Sequence, residues 1–229
     1  MLVVEDDPTM AEVLVAYVVK AGYQVYLAGD GHAALTGWER FKPDVVVLDV
    51  MLPLLSGLEV LRRRRRVRDH AAVIMLSARG EEEDRLVGLE TGADDYVVKP
   101  FSPREVILRI EALLRRGERL SGARLLNDTI DIAGLHLDLP SRTARRDSQP
   151  LALTSREFDL LTFLAASPGQ VFSKQDLMRR VWGWDFGDTS TVTVHIRRLR
   201  EKIETDPSDP CIVVTVGRTG YRLVTEGGR

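Results

Sequence analysis

Short apolar runs alternate with stretches of helical period through residues 1–116, and this alternation restricts the fold more than any other feature of the chain. Strands are predicted at 2–4, 24–28, 44–48, 72–76 and 96–98. A helix follows Pro8, with Met10, Val13, Leu14, Tyr17 and Val18 on one stripe. Further helices are predicted at 32–41, 57–66, 82–91 and 103–116. The strands are continuous Val/Ile/Leu runs, as strands buried on both faces must be. Strand–helix alternation of this kind gives a parallel sheet covered on each side by helices.

In such sheets chemistry collects where strands end. The predicted strand ends carry Glu5, Asp6 and Asp7, then Asp49, then Ser77, then Lys99. Clustered carboxylates repel one another unless a cation lies among them, and an oxygen-only ligand set suits Mg²⁺. A carboxylate at the centre can attack a phosphoryl group and form an acyl phosphate. Lys99 and Ser77 would supply the fixed cation and the hydroxyl that such a transfer needs. Singly, an Asp after a strand is a turn former and a Lys before Pro-Phe is surface. It is the set at separate strand ends that points to a site. An aspartyl-phosphate phosphatase would place an Asp-x-Asp directly after its first strand, whereas here a solitary acceptor follows the third.

These residues sit in Leu2-Val3-Val4-Glu5-Asp6-Asp7, Leu48-Asp49-Val50-Met51-Leu52-Pro53, Ser77-Ala78-Arg79 and Gly92-Ala93-Asp94-Asp95-Tyr96-Val97-Val98-Lys99-Pro100-Phe101. Through those motifs residues 1–116 resemble a receiver domain of the CheY type, a flavodoxin-like α/β doubly wound fold with strand order 2-1-3-4-5. The resemblance implies that Asp49 is the phosphoacceptor. It also implies that Glu5, Asp6, Asp49 and the Met51 carbonyl hold Mg²⁺, with Mn²⁺ as a substitute. Ser77 and Lys99 would bind the phosphoryl group, Tyr96 would be the switch aromatic, and Lys99–Pro100 would be cis. The chain begins only a few residues before Glu5, so the first strand is expected to be short. The Arg62–Arg66 run reads as a solvated helix face with Leu58 and Leu61 inside.

Residues 117–128 carry two glycines and lack strong periodicity, which marks a linker. The segment 129–227 reads as a second domain. Alternating stretches at 130–139 and 141–153 suggest a small antiparallel sheet. Thr154-Ser155-Arg156-Glu157 and Ser173-Lys174-Gln175-Asp176 are capping boxes that open two helices. A third helix, about 189–204, buries Val192, Ile196, Leu199 and Ile203. Its other face is predicted to present Thr193, Arg197 and Arg200, flanked by Thr191, His195 and Arg198. Arg fits phosphates and guanine edges, and Thr can touch phosphate or a thymine methyl. A hairpin of strands at 212–216 and 221–224 with a Gly217-Arg218-Thr219-Gly220 turn comes next. Arg218 and Tyr221 complete the expected DNA-contact set.

Val181-Trp182-Gly183, Val194-His195-Ile196-Arg197-Arg198-Leu199-Arg200 and Gly220-Tyr221-Arg222 resemble the OmpR/PhoB-type α+β winged-helix domain. The paired resemblances imply a phosphorylation-dependent transcriptional regulator of a two-component system rather than an enzyme. Its partners would be a sensor histidine kinase, promoter DNA as tandem half-sites, RNA polymerase, and a second copy once phosphorylated. For that dimer the resemblance implies a face near residues 81–116 with pairs Arg85–Glu105 and Asp95–Arg109. Glu stands at both 90 and 111, where a further bridge would need a cation.

Bulk charge does not announce the DNA partner. Residues 1–120 carry 17 Lys+Arg against 20 Asp+Glu, and residues 121–229 carry 15 against 14. A DNA surface must therefore be a local patch. A single cysteine, Cys211, leaves no internal disulfide. No apolar run approaches the roughly 18 residues of a membrane span, and acid follows the opening apolar run at once, unlike a signal or transit peptide. The expectation is a soluble cytoplasmic protein with no membrane partner.

Overall fold

The computed structural model describes residues 1–67, 69–78, 82–114, 128–184 and 189–225, apart from the side chains of 82–86. The chain divides into two compact units, Met1–Arg115 and Arg116–Arg229. Residues 117–127 of the expected linker lie outside the described residues.

The first unit runs β1 (Leu2–Val4), α1 (Pro8–Lys20), β2 (Tyr26–Ala28), α2 (Gly31–Phe41), β3 (Val45–Asp49), α3 (Gly57–Arg66), β4 (Ala72–Ser77), α4 (Glu82–Thr91), β5 (Asp95–Val98) and α5 (Pro103–Leu114). The five strands form one parallel sheet in the order β2-β1-β3-β4-β5. β1 and β2 have three residues each. Every residue of β1, β3 and β4 is buried, which is why those segments read as unbroken apolar runs. Val3, Val45, Val47, Ile74 and Val97 pack with Leu14 and Val18 of α1 and with Val106, Ile107 and Ile110 of α5.

Helix starts follow from side-chain caps. Asp7 accepts the Met10 N–H at 2.7 Å with Pro8 in the first helical turn, and Asp30 accepts the His32 and Ala33 N–H groups at 2.8 Å. Ser56 accepts from Glu59 at the start of α3. Asp7 is thereby a cap, which separates it from Glu5 and Asp6.

The Arg62–Arg66 run is only partly the solvated face expected. Arg62 and Arg63 do lie outside, paired with Glu59. Arg65 instead turns inward and donates to the carbonyls of Gly92, Asp69 and Ala71 and to the Asp94 carboxylate. Arg64 pairs with Asp69 at 2.6 Å and lies over the Trp38 ring. At the end of the sheet away from Asp49, carbonyls that no strand can pair need donors, and a guanidinium provides several from one side chain.

Among its described residues the second unit begins with an antiparallel sheet, β6 (Thr129–Ile132), β7 (Leu135–Asp138), β8 (Thr143–Arg146) and β9 (Gln149–Leu151). Three helices come after it. They are α6 (Ser155–Ala165), α7 (Lys174–Leu177) running into a π-helical turn at Met178–Trp182, and α8 (Ser190–Ile203). The hairpin β10 (Val213–Val216) and β11 (Gly220–Leu223) closes the fold. Both capping boxes form, on Thr154/Glu157 and Ser173/Asp176. Phe158, Leu161, Leu164, Trp182, Val192, Ile196, Leu199 and Leu223 make a single core. Gly220 (φ 153°) lets β11 meet the chain before α7, since a Cβ there would lie 1.9 Å from the Phe172 carbonyl oxygen.

Candidate phosphoacceptor site and nucleic-acid face

The parallel register brings the ends of β1, β3, β4 and β5 together. Glu5 and Asp49 are 2% and 3% exposed, and Ser77 is buried beside them, while Asp6 faces solvent. Oxygens of Glu5, Asp6 and Asp49 lie within 4.8 Å of one another. Lys99 reaches across from β5 and donates to both Glu5 oxygens, at 3.0 and 2.9 Å, and to Asp49 Oδ2. The Met51 N–H holds the other Asp49 oxygen at 3.0 Å, which leaves the Met51 carbonyl on the loop that leads away from Asp49. Lys99–Pro100 is cis.

Burial pushes the Glu5 carboxyl up, and the Asp49 charge adds to that, against the opposing hydrogen bond from Lys99. Burial also works against the Lys99 ammonium, but its hydrogen bonds to Asp49 and Glu5 outweigh that and hold the lysine above its usual range. One ammonium thus balances two buried carboxylates and an exposed third. The cluster is short of positive charge, its donors are all oxygens, and this fits a hard divalent cation.

Gly57 keeps this site in place. A Cβ on Gly57 would lie 1.9 Å from the Asp49 carbonyl oxygen, because the start of α3 folds back under the end of β3. The Gly57 N–H donates to the Val50 carbonyl at 3.0 Å. In the sequence nothing marks this beyond a glycine at a helix start. Tyr96 is buried with its ring against Gly88 of α4.

On the proposed dimer face Asp95 and Arg109 already meet within one chain. Arg109 is nearly buried and bonds Asp95 at 3.1 Å and Glu105 at 2.6 Å within the same chain. From the second turn of α5 the Arg109 guanidinium reaches both carboxylates. Asp95–Arg109 is therefore an internal strut, and Glu105 shares it. The Arg85 side chain lies outside the described residues. Among the described residues this face exposes Val87 of α4, Val98 of β5 and Leu108 of α5, each 39–48% accessible, together with Glu90 and Arg104.

The predicted DNA face also needs correction. Thr191 and Arg198 are each 7% exposed, Tyr221 is 5% and His195 is fully buried. His195 packs edge-on against Trp182 at 5.1 Å and hydrogen-bonds the Thr191 carbonyl through Nδ1. Arg198 pairs at 2.7 Å with Glu157, which is itself fully buried and also takes Lys202 and the Thr154 N–H. A single i, i+4 stripe, read as the whole buried face of α8, would leave its three members of this group outside. α8 is in fact covered by α6, α7 and the hairpin, and its buried arc is wider. Thr193, Arg197 and Arg218 remain exposed. Arg200 is half-buried and bonded to the hairpin.

Burial alone would raise the Glu157 carboxyl, yet Arg198 and Lys202 hold it below the ordinary carboxylate range. Arg156 is buried as well, donating to the Val181 carbonyl at 2.6 Å with its guanidinium over Trp182. Sequence reasoning misses both as buried charges, although Glu157 is legible as a helix cap.

Residues 1–111 match the family described as response regulator receiver domain, and residues 148–223 match the one described as transcriptional regulatory protein, C terminal. The chain is 43% identical to the sensory transduction protein RegX3 of Mycolicibacterium smegmatis, over 97% of this chain and 98% of the relative. It is 41% identical to the DNA-binding response regulator MtrA of the same organism, over 97% and 95%. Among solved structures it is similar to DrrB of Thermotoga maritima, described as an OmpR/PhoB homolog, at 32% identity over 97% of each chain with a TM-score of 0.50. A mutant of RitR shares the fold at 25% identity over 98% of each chain, with a TM-score of 0.79. With a receiver unit whose sheet runs 2-1-3-4-5 and a winged-helix unit behind it, the chain belongs to the OmpR/PhoB family of response regulators, DNA-binding transcription regulators of two-component systems rather than enzymes.

Proposed function

We propose that Asp49 accepts a phosphoryl group from the phosphohistidine of a sensor kinase, and that this drives a dimer onto tandem half-sites in promoter DNA. The observation that carries the reading is Lys99 bonded to both Glu5 and Asp49 beside Asp6 and Ser77. In the transfer an Asp49 oxygen forms the new P–O bond while the P–N bond to the donor imidazole breaks. Lys99 carries the charge of the transferred oxygens and Ser77 donates its hydroxyl to one of them. Met51 N–H holds the other Asp49 oxygen and so fixes which one attacks. Glu5, Asp6, Asp49 and the Met51 carbonyl would hold Mg²⁺, or Mn²⁺, whose charge would neutralise the phosphoryl oxygens. Tyr96 would follow the change toward α4.

The dimer would form on α4, β5 and α5 through Val87, Val98 and Leu108. DNA would be met by Thr193 and Arg197 of α8 and by Arg218 of the wing. Residues 1–116 act as the receiver, 117–128 as the linker and 129–227 as the DNA-binding domain. RNA polymerase is a further partner the family suggests. Among the described residues no helix is long and apolar enough to cross a membrane, which accords with a cytoplasmic setting.

Acetyl phosphate with Mg²⁺ should add one phosphate to the wild type and none to Asp49→Asn, and only the labelled wild type should elute as a dimer. Equal labelling of both proteins would place the acceptor elsewhere. Millimolar Mg²⁺ should also raise the receiver's melting temperature by mass action. Asp6→Ala should abolish that rise, and a persistent rise would move the metal out of this cluster.

A further inference from the structure

Arg200 lies in the last turn of α8 among the residues expected to touch DNA, yet its guanidinium is already committed. Nε donates to the Val213 carbonyl at 2.8 Å and Nη2 to Thr215 Oγ1 at 2.8 Å. The same group lies 5.7 Å from the centre of the Tyr221 ring on the other strand of the hairpin. A two-stranded hairpin is marginal by itself, and this one forms its own two-stranded sheet. Its inner strand, β11, is tied to the body of the domain by reciprocal bonds between Tyr221 and Phe172, both 2.9 Å. Its outer strand, β10, has an edge whose carbonyls need donors, and Arg200 supplies one there. Between the two strands the exposed tip carries Arg218.

We infer that Arg200 is a positioning residue, a staple between the recognition helix and β10 that fixes where Arg218 meets DNA. This rests on the reading of Arg218 as a DNA contact. The fork matters as much as the charge. A guanidinium can serve Val213 and Thr215 together in a fixed plane, whereas a lysine ammonium at the same place is a point charge on a flexible stem. A phosphate contact would be kept by Lys, and a two-acceptor staple would not.

The probe is a duplex selected by the wild-type protein from random-sequence DNA, titrated at fixed salt with the full chain. Arg218→Ala should weaken binding about tenfold, and Arg200→Ala and Arg200→Lys should each weaken it to a similar degree. Adding Arg200→Ala to Arg218→Ala should cost less than about twofold more, because a wing without its arginine no longer depends on its placement. Amide exchange in residues 213–223 of the free protein should speed up about tenfold or more in both Arg200 variants. Restoration of affinity by Lys, losses that multiply in the double variant, or unchanged exchange in the hairpin would each overturn the assignment. Should Arg218→Ala bind as the wild type does, the wing contact itself is wrong, and the exchange measurement still decides whether Arg200 holds the hairpin.

Discussion

Glu157→Gln is expected to destabilise the DNA-binding unit by about 3–5 kcal/mol, the usual cost of stripping one partner from a buried ion pair. Glu157 has no solvent access and meets Arg198, itself nearly buried, at 2.7 Å. Lys202 is partly exposed and adds less. For a unit of this size the melting transition should fall by roughly 12 °C or more. DNA binding should fail at temperatures where labelling of Asp49 continues, because the receiver is a separate compact unit. The same carboxylate predicts a pH dependence. Its pKa is lower in the folded state than in the unfolded chain, so its contribution is complete above the unfolded value of about 4.3 and is lost as pH falls through the lower folded value. Below about pH 4 the wild type should therefore approach the stability of the Gln variant. Calorimetry of both proteins from about pH 7 down to about pH 3 checks this, and parallel curves with a constant gap would show that Glu157 does not titrate as described.

Gly57→Ala is expected to disable the receiver by a route that leaves every charged group in place. The added Cβ would meet the Asp49 carbonyl oxygen at 1.9 Å and its carbon at 2.9 Å, both backbone atoms that no rotamer change can move. Overpacking of this kind costs about 1–3 kcal/mol. The larger effect falls on the chemistry, since either β3 or the start of α3 must shift and Asp49 shifts with it. A misplacement of about 1 Å lowers a positioned reaction on the order of 10²-fold. The rate of acetyl phosphate labelling should show that loss, whereas Gly29→Ala, with no atom within 4 Å of its added Cβ, should label normally. A Gly57 variant that labelled at the wild-type rate would mean that the loop yields without moving the acceptor.

The sheet order and the acidic cluster are legible because burial on both faces writes β1, β3 and β4 as continuous apolar runs, and because the residues just after such a run must sit at the sheet's edge. Two kinds of information are not legible. Close backbone approaches, as at Gly57, leave no pattern at all in a single sequence. Buried charges look the same as exposed ones until their partners are known. Arg198 and Arg197 are neighbours of one type, but only the first faces Glu157, 41 positions away in the chain. Arg65 within the Arg62–Arg66 run is a similar case, since its acceptors are carbonyls at 69, 71 and 92 that the sequence does not connect to it. The Asp95–Arg109 pair can be recognised from its motif, and within one chain these two residues are already bonded. A motif gives the partners and not the chain that supplies each.

The division of labour along α8 bears on how a regulator of this kind can diverge after gene duplication. Thr191, His195 and Arg198 face into the domain and hold the helix in its seat, while Thr193 and Arg197 face outward. On the proposed reading of Thr193 and Arg197 as DNA contacts, substitutions at this outward pair would keep the fold while changing the promoter that is read. Substitutions at the inward three are removed by instability before any new target is tried. Two daughter copies would thus drift apart in the genes they govern along a path that on this helix is two side chains wide, with the scaffold that carries them unchanged.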